Sequence, residues 1–106
     1  MRRGTTPTYT LAVAGYDLRD MTVYVTLQQD TRTPLTLTNE DLSIDFKEGS
    51  SILRFTLSQH QTLSLQKGIV HVQARFIDEY GTAYATSIEI LQVLPILLEG
   101  EIEYES

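Results

Sequence analysis

Two histidines, fourteen carboxylates and no cysteine set the range of chemistry open to this chain. Without cysteine there is no disulfide, no thiol nucleophile and no thiolate metal site. A histidine metal site normally needs a second histidine close by, completed by a carboxylate. His60 and His71 do not meet that pattern. His60 falls in the polar run Ser58-Gln59-His60-Gln61, and His71 alternates with Gln73 and Arg75 on the polar face of an expected strand. Both are expected to be solvated. Asp78 and Glu79 are adjacent, so on a strand they would point to opposite faces, and in a turn they would face water. No serine sits on a glycine-flanked elbow, and none of the six glycines builds a phosphate or dinucleotide loop. The residues therefore suggest neither an enzyme nor a cofactor or metal site.

Two other groups could act through contact instead. Sugars stack on exposed aromatic rings, and Tyr24, Tyr80 and Tyr84 fall where a strand or turn would expose them. They are the sugar-stacking candidates. The second group is the C-terminal LEGEIEYES, in which Glu99, Glu101, Glu103 and Glu105 alternate with Gly100, Ile102, Tyr104 and Ser106. In extended form this segment has one acidic face and one face carrying Ile102 and Tyr104. It reads either as a solvated tail or as an arm that adds to the sheet edge of a neighbour, with Ile102 and Tyr104 as anchors. The division expected is a β-sandwich over 1–98 and an acidic tail or arm over 99–106.

The elements that must carry these groups show period two throughout. Leu11 and Val13 share a face, as do Val23, Val25 and Leu27. Leu35 and Leu37 make a short strand after Pro34. Leu42, Ile44 and Phe46 lead through Glu48-Gly49 into Leu53, Phe55 and Leu57, which predicts a hairpin. A turn of helix is expected over Thr62 to Leu65, capped by Thr62 or Ser58. Gly68 then opens a strand with Val70, Val72, Ala74 and Phe76 on one face. Asp78 to Gly81 is a hairpin turn, with Gly81 providing the positive φ. One long last strand is expected from about Thr82 to Val93. The predicted core is Leu11, Val13, Val23, Val25, Leu27, Leu42, Ile44, Phe46, Leu53, Phe55, Leu57, Val70, Val72, Phe76, Ile88 and Ile90. About seven short strands with regular turns indicate an all-β antiparallel sandwich.

The bulk numbers agree with one small domain. The chain has 106 residues, 42% hydrophobic and 21% charged. The net charge of −6 opposes binding to nucleic acid, and the tail glutamates supply four of those charges. Met1-Arg2-Arg3 leads into a Thr/Pro stretch with no apolar signal-peptide core, so none is expected. The apolar run from Val93 to Leu98 contains Pro95 and is far short of a membrane span.

Two resemblances add a setting. The order of elements from Thr56 to Phe76 resembles the corner of an immunoglobulin-like sandwich, where a polar crossover and a glycine precede the strand before the last hairpin. Val70 and Val72 stand where immunoglobulins carry a Tyr and a Cys, so the likeness is one of order. The segments MRRGTTPTYTLAV, VYVTLQQ, LSQHQTLSL, GIVHVQARF and YGTAYATSIEILQV, in that order, resemble a family of short proteins encoded in the tail and structural modules of Firmicutes prophages. That resemblance implies a non-enzymatic tail or baseplate accessory or adaptor. Its partners would be other phage structural proteins or further copies of itself. It would be located in the virion, or in the bacterial cytoplasm during assembly. Gln28, Gln73 and Arg75 are the strand residues expected to tie sheets to crossovers by side-chain hydrogen bonds. The alternative function is a small carbohydrate-binding module using the three tyrosines.

Overall fold

A computed structural model describes residues 1–105; Ser106, the last residue of the expected tail, lies outside them. The chain forms two antiparallel sheets. One contains β1 (Thr8–Ala14), β4 (Ser43–Lys47) and β5 (Ser50–Thr56), in the order β1-β5-β4. The other contains β2 (Thr22–Gln28), β3 (Leu35–Leu37), β6 (Gly68–Ile77), β7 (Ala83–Ala85) and β8 (Glu89–Val93). Its order is β3-β2-β6, and β6 pairs with both β7 and β8 on its far side.

This is the immunoglobulin-like arrangement. A constant-type sandwich sets strands A, B, E and D against C, F and G. Here β1, β5 and β4 take the B, E and D places, and β3, β2, β6 and β7/β8 take C′, C, F and G. Among the described residues no strand occupies the A place beside β1. Instead Met1 to Arg3 lies along the end of β8, with a parallel bridge between Arg2 and Leu94.

Alternation decides the core. The inward side chains of β1, β5 and the residue after it (Val13, Leu53, Phe55, Leu57) meet those of the other sheet. That sheet contributes Val23, Val25, Leu27, Leu37, Val70, Val72, Ala74, Phe76 and Val93. Burying each large apolar side chain contributes about 1.5–3 kcal/mol. Of the expected core, Leu11, Leu42, Ile44 and Phe46 are only half-buried. Phe46 lies under the Arg19 guanidinium, 5.4 Å from ring centre to Cζ.

Ile88 and Ile90 are a correction: they are 57% and 61% exposed. The cause is a break in the expected last strand. Phe76 pairs with Tyr84 and Arg75 with Ala85, but Val72 pairs with Glu89 and Gly68 with Val93. The register has slipped by one residue, which is a β-bulge. One inserted residue exchanges the two faces of everything after it. Tyr84 therefore points inward before the bulge, and Leu91 and Val93 do so after it. Thr86 pins the bulge: its hydroxyl accepts from the Ala74 N–H at 3.1 Å and its carbonyl accepts from Gln73 Nε2 at 2.8 Å.

The turns follow their residues. Glu48 and Gly49 both have positive φ, 51° and 79°, as a two-residue hairpin turn requires. The helix between the sheets, α1 (Gln59–Leu63), starts earlier than the expected Thr62–Leu65 turn and is capped by Ser58. The Ser58 hydroxyl accepts from the Gln61 N–H at 3.1 Å, and Gln61 Oε1 accepts from the Ser58 N–H at 2.8 Å. Together they form a reciprocal capping box.

Candidate functional site

The expected groups do not converge. His60 is exposed on α1 and His71 on the outer face of β6. Asp78 spends its carboxylate on the hairpin turn, where Oδ1 accepts from the N–H groups of Tyr80 and Thr82, each at 2.9 Å. Among the described residues no three His, Asp or Glu side chains come together.

The three tyrosines occupy three different surroundings. Tyr24 is on the outer face of β2, in a shallow depression with Thr26, Thr36, Arg75 and Ile77. Tyr80 is at the tip of the β6–β7 turn and is 85% exposed. Tyr84, expected to be exposed, is half-buried on the opposite face of its sheet from Tyr24. It stacks on Phe76 with ring centres 5.3 Å apart and touches Tyr16 at 4.8 Å. The hairpin register explains this: Tyr84 lies before the bulge and pairs with the inward Phe76.

The C-terminal arm is where apolar surface and polar fastening coincide. Leu98, Ile102 and Tyr104 are exposed, Tyr104 at 93%. The segment that carries them is nevertheless fastened. Arg3 is the main fastener, with its side chain only 13% exposed. Its Nε donates to the Leu65 carbonyl at 2.6 Å and its Nη2 to the Leu63 carbonyl at 3.0 Å, satisfying the open end of α1. The remaining Nη1 reaches Glu99 at 2.6 Å. Arg2 Nη1 donates to the Pro95 carbonyl at 3.0 Å. Further out, Gln59 clamps the arm: its Nε2 donates to the Ile102 carbonyl at 2.9 Å and its Oε1 accepts from the Ile102 N–H at 2.8 Å.

The same two-bond clamp occurs inside the fold. Gln29, buried at the end of β2, donates from Nε2 to the Gln66 carbonyl at 2.6 Å and accepts from the Gln66 N–H at 2.8 Å. The tie expected at Gln28 is made by its neighbour, because alternation makes Gln28 face water and Gln29 face in. Gln73 makes one bond, to the Thr86 carbonyl at the bulge of its own sheet and not to a crossover, and Arg75 is exposed on the outer face. Asn39 repeats the device, accepting from the Val23 N–H at 2.8 Å and donating to the Met21 carbonyl at 2.9 Å.

A second feature faces the arm's chemistry. A groove runs between β1 and β8; Tyr9, Leu11, Phe55, Val72, Ile90 and Leu91 make it largely apolar, and Glu89 at the start of β8 is its one charged residue. It is the open side of the sandwich, and β1 flanks it with an edge that pairs with no other strand among the described residues.

Neither a family model nor a curated protein matches the chain. No helix among the described residues is long and apolar enough to cross a membrane.

Proposed function

We propose that the protein is a non-enzymatic structural component of a phage tail or baseplate, an accessory or adaptor that acts through protein–protein contacts. The observation that supports this best is the arm from Pro95 to Glu105. It is fastened by Arg2 to the Pro95 carbonyl, by Arg3 to the Glu99 carboxylate and by Gln59 to the Ile102 backbone, while Leu98, Ile102 and Tyr104 stand in solvent. Exposed apolar side chains on a fastened segment that pairs with no strand of its own fold suit strand addition to another protein. The order of segments resembling short prophage tail-module proteins supplies the setting, with other structural proteins of the particle as partners.

Co-expression with the proteins encoded beside its gene tests this. Co-purification at fixed stoichiometry with a tail or baseplate component, lost on Ile102→Glu with Tyr104→Glu, is the expected result. A chain that binds none of those components would overturn the adaptor role.

A further inference from the structure

We infer that the open edge of β1, with the groove beside it, receives the C-terminal arm of a second copy of this chain. The inference rests on the reading of the arm as a protein-contact element and adds its receptor.

The edges of the two sheets are not alike. Native proteins guard exposed edge strands with charge, proline or shortness. β4 carries Asp45 and Lys47, β3 is three residues long and follows Pro34, β7 is also three residues long, and β8 opens with Glu89 and is covered at its end by the Arg2–Leu94 bridge. β1 has none of these guards. It is seven residues of Thr, Tyr, Leu, Ala and Val, and among the described residues its one partner strand is β5. Beside it the two sheets part, and the groove reaches through Tyr9 and Leu11 to the buried Phe55 and Val72. This is the place an A strand fills in a complete sandwich.

The arm has the form such a strand needs. From Leu98 to Tyr104 it matches the length of β1. Leu98, Gly100, Ile102 and Tyr104 fall on one side, and Glu99, Glu101 and Glu103 on the other. Set against β1, the first side enters the groove and the second lies on the outer face of the sheet. That face carries Thr8, Thr10, Ala12 and Ala14 on β1, and Arg54 opposite Thr10 on β5. The outward side of β1 carries no carboxylate and Arg54 attracts the incoming glutamates; Glu89 lies across the groove on β8, where the apolar side of the arm enters. Gly100 has φ +92° in the free chain and, as glycine, extends at no steric cost.

The chain's own arm does not fill its own groove. No residue of the arm lines it. Met1 to Arg3 already pairs along the end of β8, with Arg3 N–H to the Leu94 carbonyl at 3.1 Å. Arg3 and Gln59 then lead the arm past α1. Only the two exposed Gln59 bonds hold the backbone at Ile102 itself, and a ladder of backbone bonds to β1 replaces them.

Two full-length variants test the inference by sedimentation velocity across a concentration series. Ile102→Glu with Tyr104→Glu disables the arm and leaves the groove. Ile90→Glu places a charge in the groove at an exposed position and leaves the arm. Unchanged circular dichroism melts establish that both fold. The wild type is expected to associate with rising concentration. Each variant alone is expected to weaken association by about a hundredfold, the worth of two buried apolar anchors or of a second charge beside Glu89 where the apolar side of the arm enters. An equal mixture is expected to regain hetero-association, because an intact arm then meets an intact groove. A wild type monomeric to millimolar concentration, association unaffected by the arm variant, or a mixture that regains nothing would each overturn the inference. Co-purification with a tail component by a monomeric chain would sink this inference alone. Self-association without any such component would sink only the adaptor role.

Discussion

β4 and β1 are the two edges of one three-stranded sheet, and they differ in every feature that controls edge pairing. β4 is short and charged at Asp45 and Lys47, and its side of the sandwich is bordered by the 3-10 turn Asn39–Asp41. β1 is longer, uncharged and flanked by a groove that opens on the core. An unguarded edge is an aggregation hazard unless something is meant to cover it. The contrast teaches that the exposed backbone of β1 is a binding surface and that of β4 is not. The glutamine clamps repeat the lesson at smaller scale. Gln29 and Gln59 make the same two bonds to a backbone, but the first is buried within the fold and the second is at the surface, holding the arm.

The largest expected effect separates those clamps. Gln29→Ala strands a part-buried N–H and carbonyl at Gln66 and is predicted to cost about 1–3 kcal/mol in urea unfolding, with an unchanged m-value. Gln59→Ala is predicted to stay within about 0.5 kcal/mol, since it frees only the arm. Equal costs would erase the distinction between them. Next comes a guard added to β1. Ala12→Glu is exposed and is predicted to leave the melt unchanged while weakening self-association by about tenfold, or about 1.4 kcal/mol. Removing the guards from β4, with Asp45→Thr and Lys47→Thr, is predicted to create a weaker association that the arm variant does not abolish. If that double change leaves light scattering as it was, charge is not what keeps β4 apart.

The smallest effect concerns Tyr9, at the groove wall. Burial raises its hydroxyl above the ordinary tyrosine value of 10.0, so folding favours the neutral phenol. That contribution is present below pH 10 and is lost as pH rises through the higher folded-state pKa. Tyr9→Phe is predicted to flatten the loss of stability above pH 10, followed by denaturant titration.

Most of the sandwich was legible because alternation is a two-residue code and burial reads it directly. Val23, Val25, Leu27, Leu53, Phe55, Val70, Val72 and Phe76 are all inside. The misses have physical causes. Ile88 and Ile90 face outward because of one inserted residue, and a bulge leaves no mark in a run as apolar as Ile88-Glu89-Ile90-Leu91; Tyr84 lies before it and follows Phe76 inward. Leu18 is fully buried although it lies in a loop, held there by Ser51, whose hydroxyl accepts from the Leu18 N–H at 2.9 Å. No period reports such a residue. The alternation of the arm was visible in LEGEIEYES, but its receptor was not. An open edge belongs to the strand order, and a sequence read one residue at a time does not display which strands lack neighbours.

Hydrogen exchange of the β1 amides, followed as protein concentration rises, tests the central claim most directly. A strand added by a second copy protects the β1 N–H groups that face away from β5, and only when copies meet. The account predicts that protection across Thr8–Ala14 grows with concentration and is absent in the Ile102→Glu, Tyr104→Glu variant, while the β4 amides stay unchanged. Protection independent of concentration, or appearing on β4 instead of β1, would contradict it.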